Sequence, residues 1–264
     1  MQKRSIFLLA LCSLVALSAC KTQFELILTG DDVPLKYKTA FELFEAEKYA
    51  KAARMFENLK LATSGTPQDD TVHFYTALSH YEYGDLFSAE PAFEGFINVF
   101  PISPFNDRAK FLRIDCLYRQ TLRYELDQTP SIKALNVIYQ YLYEEPNSQY
   151  RAQCEEMIAD LKQRMDLKDF EAAKLYYTIE EYKSAHYALK NVLKNDAENV
   201  YREDIRYYTA MAAYKYALNS VMAKQKERYM VFVDDYYSFV TEFPESHYRK
   251  ELDALYQKVQ KIIK

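Results

Sequence analysis

Between Gly84 and Pro101 the chain reads Gly84-Asp85-Leu86-Phe87-Ser88-Ala89-Glu90-Pro91-Ala92-Phe93, followed by Phe96, Phe100 and Pro101. Glycine tolerates a tight turn, Ala89, Phe93 and Phe96 recur at helical spacing, and a proline stops the run. The stretch predicts a turn and then a helix packed on the helix before it. A small residue there permits close approach and an aromatic one wedges between the two. The 264 residues contain only four glycines and eight prolines, and the prolines fall mostly between periodic segments. Long helices follow, rather than a β-rich fold.

Weaker copies of this pattern recur along the chain. Asp31 and Asp32 precede Pro34, which reads as a capped helix start. That helix carries Tyr37, Ala40, Phe41 and Phe44, and a partner carries Tyr49, Ala52, Phe56 and Leu59. Asp69 and Asp70 read as caps of the next helix, with Phe74, Ala77, Leu78 and Tyr81. Ala52 and Ala89 stand 37 residues apart, near the tetratricopeptide (TPR) period of about 34. After Pro101 and Pro104, Asn106 or Asp107 reads as the cap of a helix to about Arg123, with Cys116 in the small position. A longer turn over Leu126–Pro130 leads to a partner ending at Pro146. Ser148 to Thr178 reads as one long helix, a break near Asp166 being the alternative. Tyr182, Ala185 and Leu189 restate the second-helix pattern. Arg202 to Ser220 and the run through Phe232, Tyr236 and Phe239 form a degenerate last pair, and Glu245 to Lys264 reads as a cap.

The N-terminus sets the compartment. Met1-Gln2-Lys3-Arg4 is a short basic region and Ser5–Leu17 an apolar run too short to span a bilayer. It ends in Leu17-Ser18-Ala19-Cys20, which resembles a bacterial lipobox, with Cys20 as the lipidated residue. Several acyl chains anchor stably where one is marginal. Lys21 in place of an aspartate favours delivery to the outer membrane, on its periplasmic face. After position 20 the chain carries 32 basic and 38 acidic residues, interleaved, without the basic footprint of a nucleic-acid binder. Cys116 and Cys154 fall within helical patterns, where buried thiols suit them better than the bridge that a periplasm permits.

These readings give an all-α chain, an α-solenoid of about five TPR-like helix pairs plus a C-terminal capping helix. Residues 1–19 form the signal peptide, 20–33 a lipidated tether, 34–147 repeats 1–3, and 148–264 repeats 4–5 with the cap. The lipobox, the repeat count, Asp127-Gln128-Thr129-Pro130, Pro146-Asn147-Ser148-Gln149-Tyr150, the long seventh helix and Phe243-Pro244-Glu245-Ser246 together resemble the BamD family. That family serves the outer-membrane β-barrel assembly machinery. The resemblance implies a non-enzymatic scaffold that docks on the barrel subunit BamA and other complex members. It also implies that the N-terminal repeats help to receive unfolded barrel precursors.

In a TPR unit the first helix lines the concave face. Tyr37, Phe41, Phe44, Phe74, Leu78 and Tyr81, with Arg113 and Leu117 next along, are therefore candidates for a peptide groove. The aromatic residues would hold an extended strand and the arginine its terminal carboxylate. Packing of helix on helix is the competing role for each. His73, His80, His186 and His247 are scattered, without ligand-spaced partners, and no phosphate loop or nucleophile elbow is present. No metal, cofactor or catalytic residue is expected. The alternatives are another periplasmic TPR adaptor, such as a secretin pilotin or an envelope-division coordinator, or a glycan-binding uptake lipoprotein. The last lacks support, since the chain has no tryptophan for sugar stacking.

Overall fold

The computed structural model describes residues 23–264, so the expected signal peptide and the expected lipidation site, Cys20, lie outside the described residues. Twelve α-helices and no strands occur among them. A short helix, α1 (Gln23–Thr29), precedes the first hairpin, α2 (Val33–Glu45) and α3 (Tyr49–Thr63). The second is α4 (Asp69–Tyr83) with α5 (Leu86–Val99), and the third is α6 (Asn106–Arg119) with α7 (Thr129–Glu144). The fourth pairs α8 (Arg151–Thr178) with α9 (Tyr182–Asn195), and the fifth α10 (Arg202–Leu218) with α11 (Met222–Glu242). Helix α12 (Arg249–Ile263) closes the chain, burying Leu252 and Val259. The fold is all-α and TPR-like, and α8 is continuous through Asp166 for 28 residues.

Two compact units divide the described residues, one holding residues 23–120 and 137–150, the other 121–136 and 151–264. The boundaries fall after Gln120, within α7 and after Tyr150. In the first unit Ala40, Ala52, Met55, Phe56 and Leu59 form one core cluster, and Phe74, Ala77, Ala89, Phe93, Phe96 and Cys116 another. Ala89 and Phe93 are fully buried, as a small approach residue and a wedge should be. The segment expected to be a tether carries α1, whose Phe24, Ile27 and Leu28 pack on the first core cluster. In the second unit the largest cluster centres on Ala210, Ala213, Tyr229, Phe232 and Phe239. Cys116 and Cys154 are both buried thiols, and burial pushes the Cys116 thiol up to about 12.

Three of the five turns between paired helices share one geometry. At Gly84, φ is +86°, and the amides of Gly84 and Asp85 donate to the carbonyls of Tyr81 and His80. This left-handed closure satisfies carbonyls that a helix end leaves open. Glu47 (φ +57°) and Glu180 (φ +65°) occupy the same place, with matching bonds to Phe44 and Leu43 and to Tyr177 and Tyr176. Five residues past each lies a buried alanine: Ala52, Ala89 and Ala185. The two glutamates hold a backbone conformation that suits glycine.

A recurring turn precedes each first helix after α2 and the closing helix α12. Before each, the amide two residues past a polar side chain donates to it: Gln68 to Thr66, Phe105 to Ser103, Tyr150 to Ser148, Tyr201 to Asn199 and Tyr248 to Ser246. In four of the five junctions the donating residue is aromatic, and its ring stacks on a ring of the preceding first helix. The pairs are Phe105 on Phe74 (centroids 4.6 Å apart), Tyr150 on Phe111 (4.1 Å), Tyr201 on Phe170 (5.6 Å) and Tyr248 on Tyr207 (3.9 Å). An acid near the start of that preceding first helix, or one turn before the ring, takes a donor from the same junction. Ser103 Oγ donates to Asp70 at 2.8 Å and Ser148 Oγ to Asp107 at 3.0 Å. The Val200 amide donates to Asp166 at 3.0 Å and the Tyr248 hydroxyl to Asp204 at 2.6 Å.

Asp70 and Asp107, read as caps from the sequence, therefore bracket neighbouring repeats. The true side-chain caps are Asp32, accepting from the Leu35 amide, and Asp85, accepting from the Ser88 amide. Asn106 donates to the Phe100 carbonyl instead of capping, and Asp69 accepts from the Gly65 amide.

Two outcomes are expected in urea denaturation. Glu47→Gly and Glu180→Gly should each stabilise by about 0.5–1 kcal/mol, through relief of the left-handed backbone net of added chain entropy. Phe105→Ala should cost roughly 2–4 kcal/mol, since it removes a stacked ring and leaves a gap beside buried Phe74.

Candidate functional site

The expected groove residues separate into three kinds. Phe74, Leu78 and Leu117 are buried, Phe74 completely, and their side chains belong to the core rather than to a face that a ligand can reach. The physical reason is the junction stack, which turns Phe74 under Phe105. Tyr37, Phe41, Phe44 and Tyr81 are half-buried and remain accessible along one edge. Arg113 lies largely covered, with Nε 3.1 Å from Glu90 Oε1 and Nη2 paired to Glu94. Its charge is already satisfied by α5, so capture of a free carboxylate would require breaking that fork.

The half-buried aromatic residues meet around a ring that the sequence reading passed over. Tyr75 lies 4.8 Å from Phe41, 5.1 Å from Phe44 and 5.6 Å from Phe56, mostly edge to face. Phe41 is also 5.0 Å from Tyr37 and 5.1 Å from Phe56. Such offset and edge contacts fix ring orientation and contribute about 0.5–1.5 kcal/mol per pair beyond area burial. The result is a preordered aromatic surface from α2 and α4. Its signal in the sequence was the period itself, because Tyr75 is one helical turn before Leu78 and Ser79.

At the far end of α4, the Tyr81 hydroxyl donates to Asp115 Oδ2 at 2.7 Å. The Arg119 guanidinium lies 5.4 Å above the ring and 3.6 Å from the same carboxylate. Burial, with Asp115 as a second cause, pushes the Tyr81 phenol up to about 12, so it stays a protonated donor. Arg108 is exposed and sits 5.6 Å from the centre of the Phe74 ring. Cations at this face thus come from α6, at Arg108 and Arg119, more readily than from Arg113.

Histidine chemistry does not converge. His73 is 3.5 Å from Asp69, His80 is 3.5 Å from Asp85, and His186 is 2.6 Å from Asp235. Among the described residues no group of His, Cys, Asp or Glu side chains has the arrangement of a metal site. In the second unit the loop before α7 is knotted by buried Gln128, whose amide donates to the carbonyls of Arg123 and Leu126. Lys168 Nζ reaches the Leu126 carbonyl at 2.7 Å. Leu175 and Ile179, one turn apart at the end of α8, are both exposed, as are Leu218, Val221 and Met222 at the turn into α11. These apolar side chains escaped sequence reasoning because helix ends carry no burial signal of their own.

Burial lifts the carboxyls of Asp166 and Asp169 above their ordinary range, and repulsion from Asp196 adds to both shifts. A folded-state pKa raised above its unfolded value means that the folded chain holds the proton more tightly. The resulting strain is absent below the ordinary carboxylate range near pH 4 and grows as pH rises through the lifted values. Asp169→Asn should therefore raise the melting temperature at pH 7, and the gain should vanish below about pH 4 in melts across that range.

A crystal structure of a thermophilic TPR protein from Thermus thermophilus matches with 17% identity, covering 86% of this chain and 98% of that one, at a TM-score of 0.33. A search of curated proteins finds no match to the chain. The model of the YfiO family, described as outer membrane lipoprotein, matches residues 32–228, most of the helical array. The chain belongs to that family of outer membrane lipoproteins.

Proposed function

We propose that this protein is a lipid-anchored scaffold on the periplasmic face of the outer membrane, acting in β-barrel protein assembly. In this reading Cys20 carries the acyl chains and the helical array docks on a BamA-like barrel subunit. The N-terminal repeats receive unfolded barrel precursors through an extended, aromatic-bearing strand. The observation that carries it is the family match over residues 32–228, preceded by a lipobox-like Leu17-Ser18-Ala19-Cys20.

The structure supports the receiving role through Tyr37, Phe41, Phe44 and Tyr81, which keep accessible ring edges on a rigid backing. Rigid aromatic residues give contact area at low entropic cost, which suits transient capture of an extended strand. Phe74, Leu78 and Leu117 serve by holding that backing in place. A terminal carboxylate finds its nearest accessible cations at Arg108 and Arg119, with Arg113 committed to α5.

Co-purification from detergent-solubilised outer membrane tests the scaffold. A BamA-like subunit should accompany the tagged protein, whereas recovery of a secretin or a nutrient transporter in its place would overturn the reading. For the receiving surface, Phe41→Ala combined with Tyr81→Ala should weaken binding of a barrel C-terminal strand peptide at least tenfold while circular dichroism still reports a folded array. Unchanged affinity in the folded double variant would exclude this surface.

A further inference from the structure

The junction between the first two repeats has the turn of the other four and lacks its ring. Residue 68 donates its amide to Thr66 just as Phe105 does to Ser103, yet it is an exposed glutamine. The position matching Phe74, 37 residues earlier, is Tyr37, and the position matching Asp70 is Val33. An acceptor ring is therefore present without the ring that stacks on it. At this point a cavity of about 390 Å³ opens to solvent, lined among others by Val33, Tyr37, Lys38, Thr63, Thr66 and Gln68. A cavity of about 150 Å³ suffices to hold a benzene ring.

We propose that this cavity is a docking site for a phenylalanine or tyrosine side chain of an extended partner polypeptide, seated on Tyr37 in the place that Phe105 occupies on Phe74. The chain itself supplies the argument for the occupant. At four junctions the same turn delivers an aromatic ring to the same place on the preceding first helix, at centroid distances between 3.9 and 5.6 Å. The fifth keeps the receiving geometry and leaves the ring to be supplied from outside. Charge narrows the partner further. The internal rings arrive with a proton donor that meets an acid, but Val33 replaces the acid here, and Lys38 lines the cavity. Its ammonium forms an exposed pair with Glu42 at 3.6 Å, which is weak in water. A carboxylate beside the incoming ring fits that cation, where a second ammonium would be repelled.

This inference rests on the receiving role proposed above and names a cavity for one ring beside Tyr37; Gln68→Phe fills that cavity alone, whereas Phe41→Ala with Tyr81→Ala tests the wider surface. The test uses the full chain in detergent and the probe peptide acetyl-Gly-Asp-Phe-Asp-Gly-amide, followed by calorimetric titration. Gln68→Phe returns the missing ring to the junction, so it should raise the melting temperature and weaken peptide binding at least tenfold. Tyr37→Ala should also lose at least tenfold, Tyr37→Phe should retain binding, and a probe with leucine in place of phenylalanine should bind at least fivefold more weakly than the original. Wild-type affinity in Gln68→Phe, or equal binding of the leucine probe, would overturn the proposal. So would a wild-type dimer in sedimentation that Gln68→Phe converts to monomer, because the occupant would then be a second copy of this chain.

Discussion

At four of the five turns that precede a first helix or the closing helix, register is fixed by a small polar and aromatic lock. An acid of one repeat accepts a hydrogen bond from the next, through a serine, a tyrosine hydroxyl or a backbone amide, while two rings stack beside it. A hydrogen bond to a charged group contributes about 1.5–3 kcal/mol and a ring pair about 0.5–1.5 kcal/mol beyond its area. One lock is thus a sizeable part of the ~5–15 kcal/mol that stabilises a folded domain. The alanine and phenylalanine wedges bring helices close but are nearly indifferent to a slide along the axis. The lock is directional, so it selects one register from those that apolar packing alone would allow.

The same lock explains which candidate residues can meet a ligand. Stacking under Phe105 removes Phe74 from the surface, and the helix turn that follows buries Leu78 with it. The rings left accessible on α2 and α4 are those that no junction ring covers. An edge of this kind gains rigidity from the interior while keeping polarizable faces open, which is a sound basis for gripping chains of varied sequence.

Much of this was legible from residue spacing. Helical hairpins, the continuous α8, the wedge at Ala89 and Phe93 and the Asp32 cap all follow from local rules about period, proline and capping. The acids at Asp70 and Asp107 misled because a carboxylate near a helix start satisfies either a cap or a neighbour, and only the partner's position decides. Serine two residues before an aromatic, with an acid three or four residues before another aromatic one repeat earlier, is the pattern that would have separated them. It becomes visible only after the repeats are aligned, because its two halves lie a whole repeat apart. Glu47 and Glu180 were opaque for the opposite reason. Glycine advertises the left-handed turn at Gly84, while the other two turns are enforced by surrounding packing.

Repeat arrays are held together by nearest-neighbour interfaces, so a weak junction lowers stability locally and leaves the rest of the lock series intact. The first junction departs from the others in both of its components, the ring at residue 68 and the acid at residue 33. With Val33 and Gln68 at these places no acid is left without its donor, and Tyr37 stands as a half-covered ring beside the cavity. Helix α1 reinforces the same repeat from its other side, packing Phe24 under the Arg54 guanidinium at 5.1 Å. Neither Phe24 nor Arg54 lines the cavity, so this packing supports the first repeat without closing it.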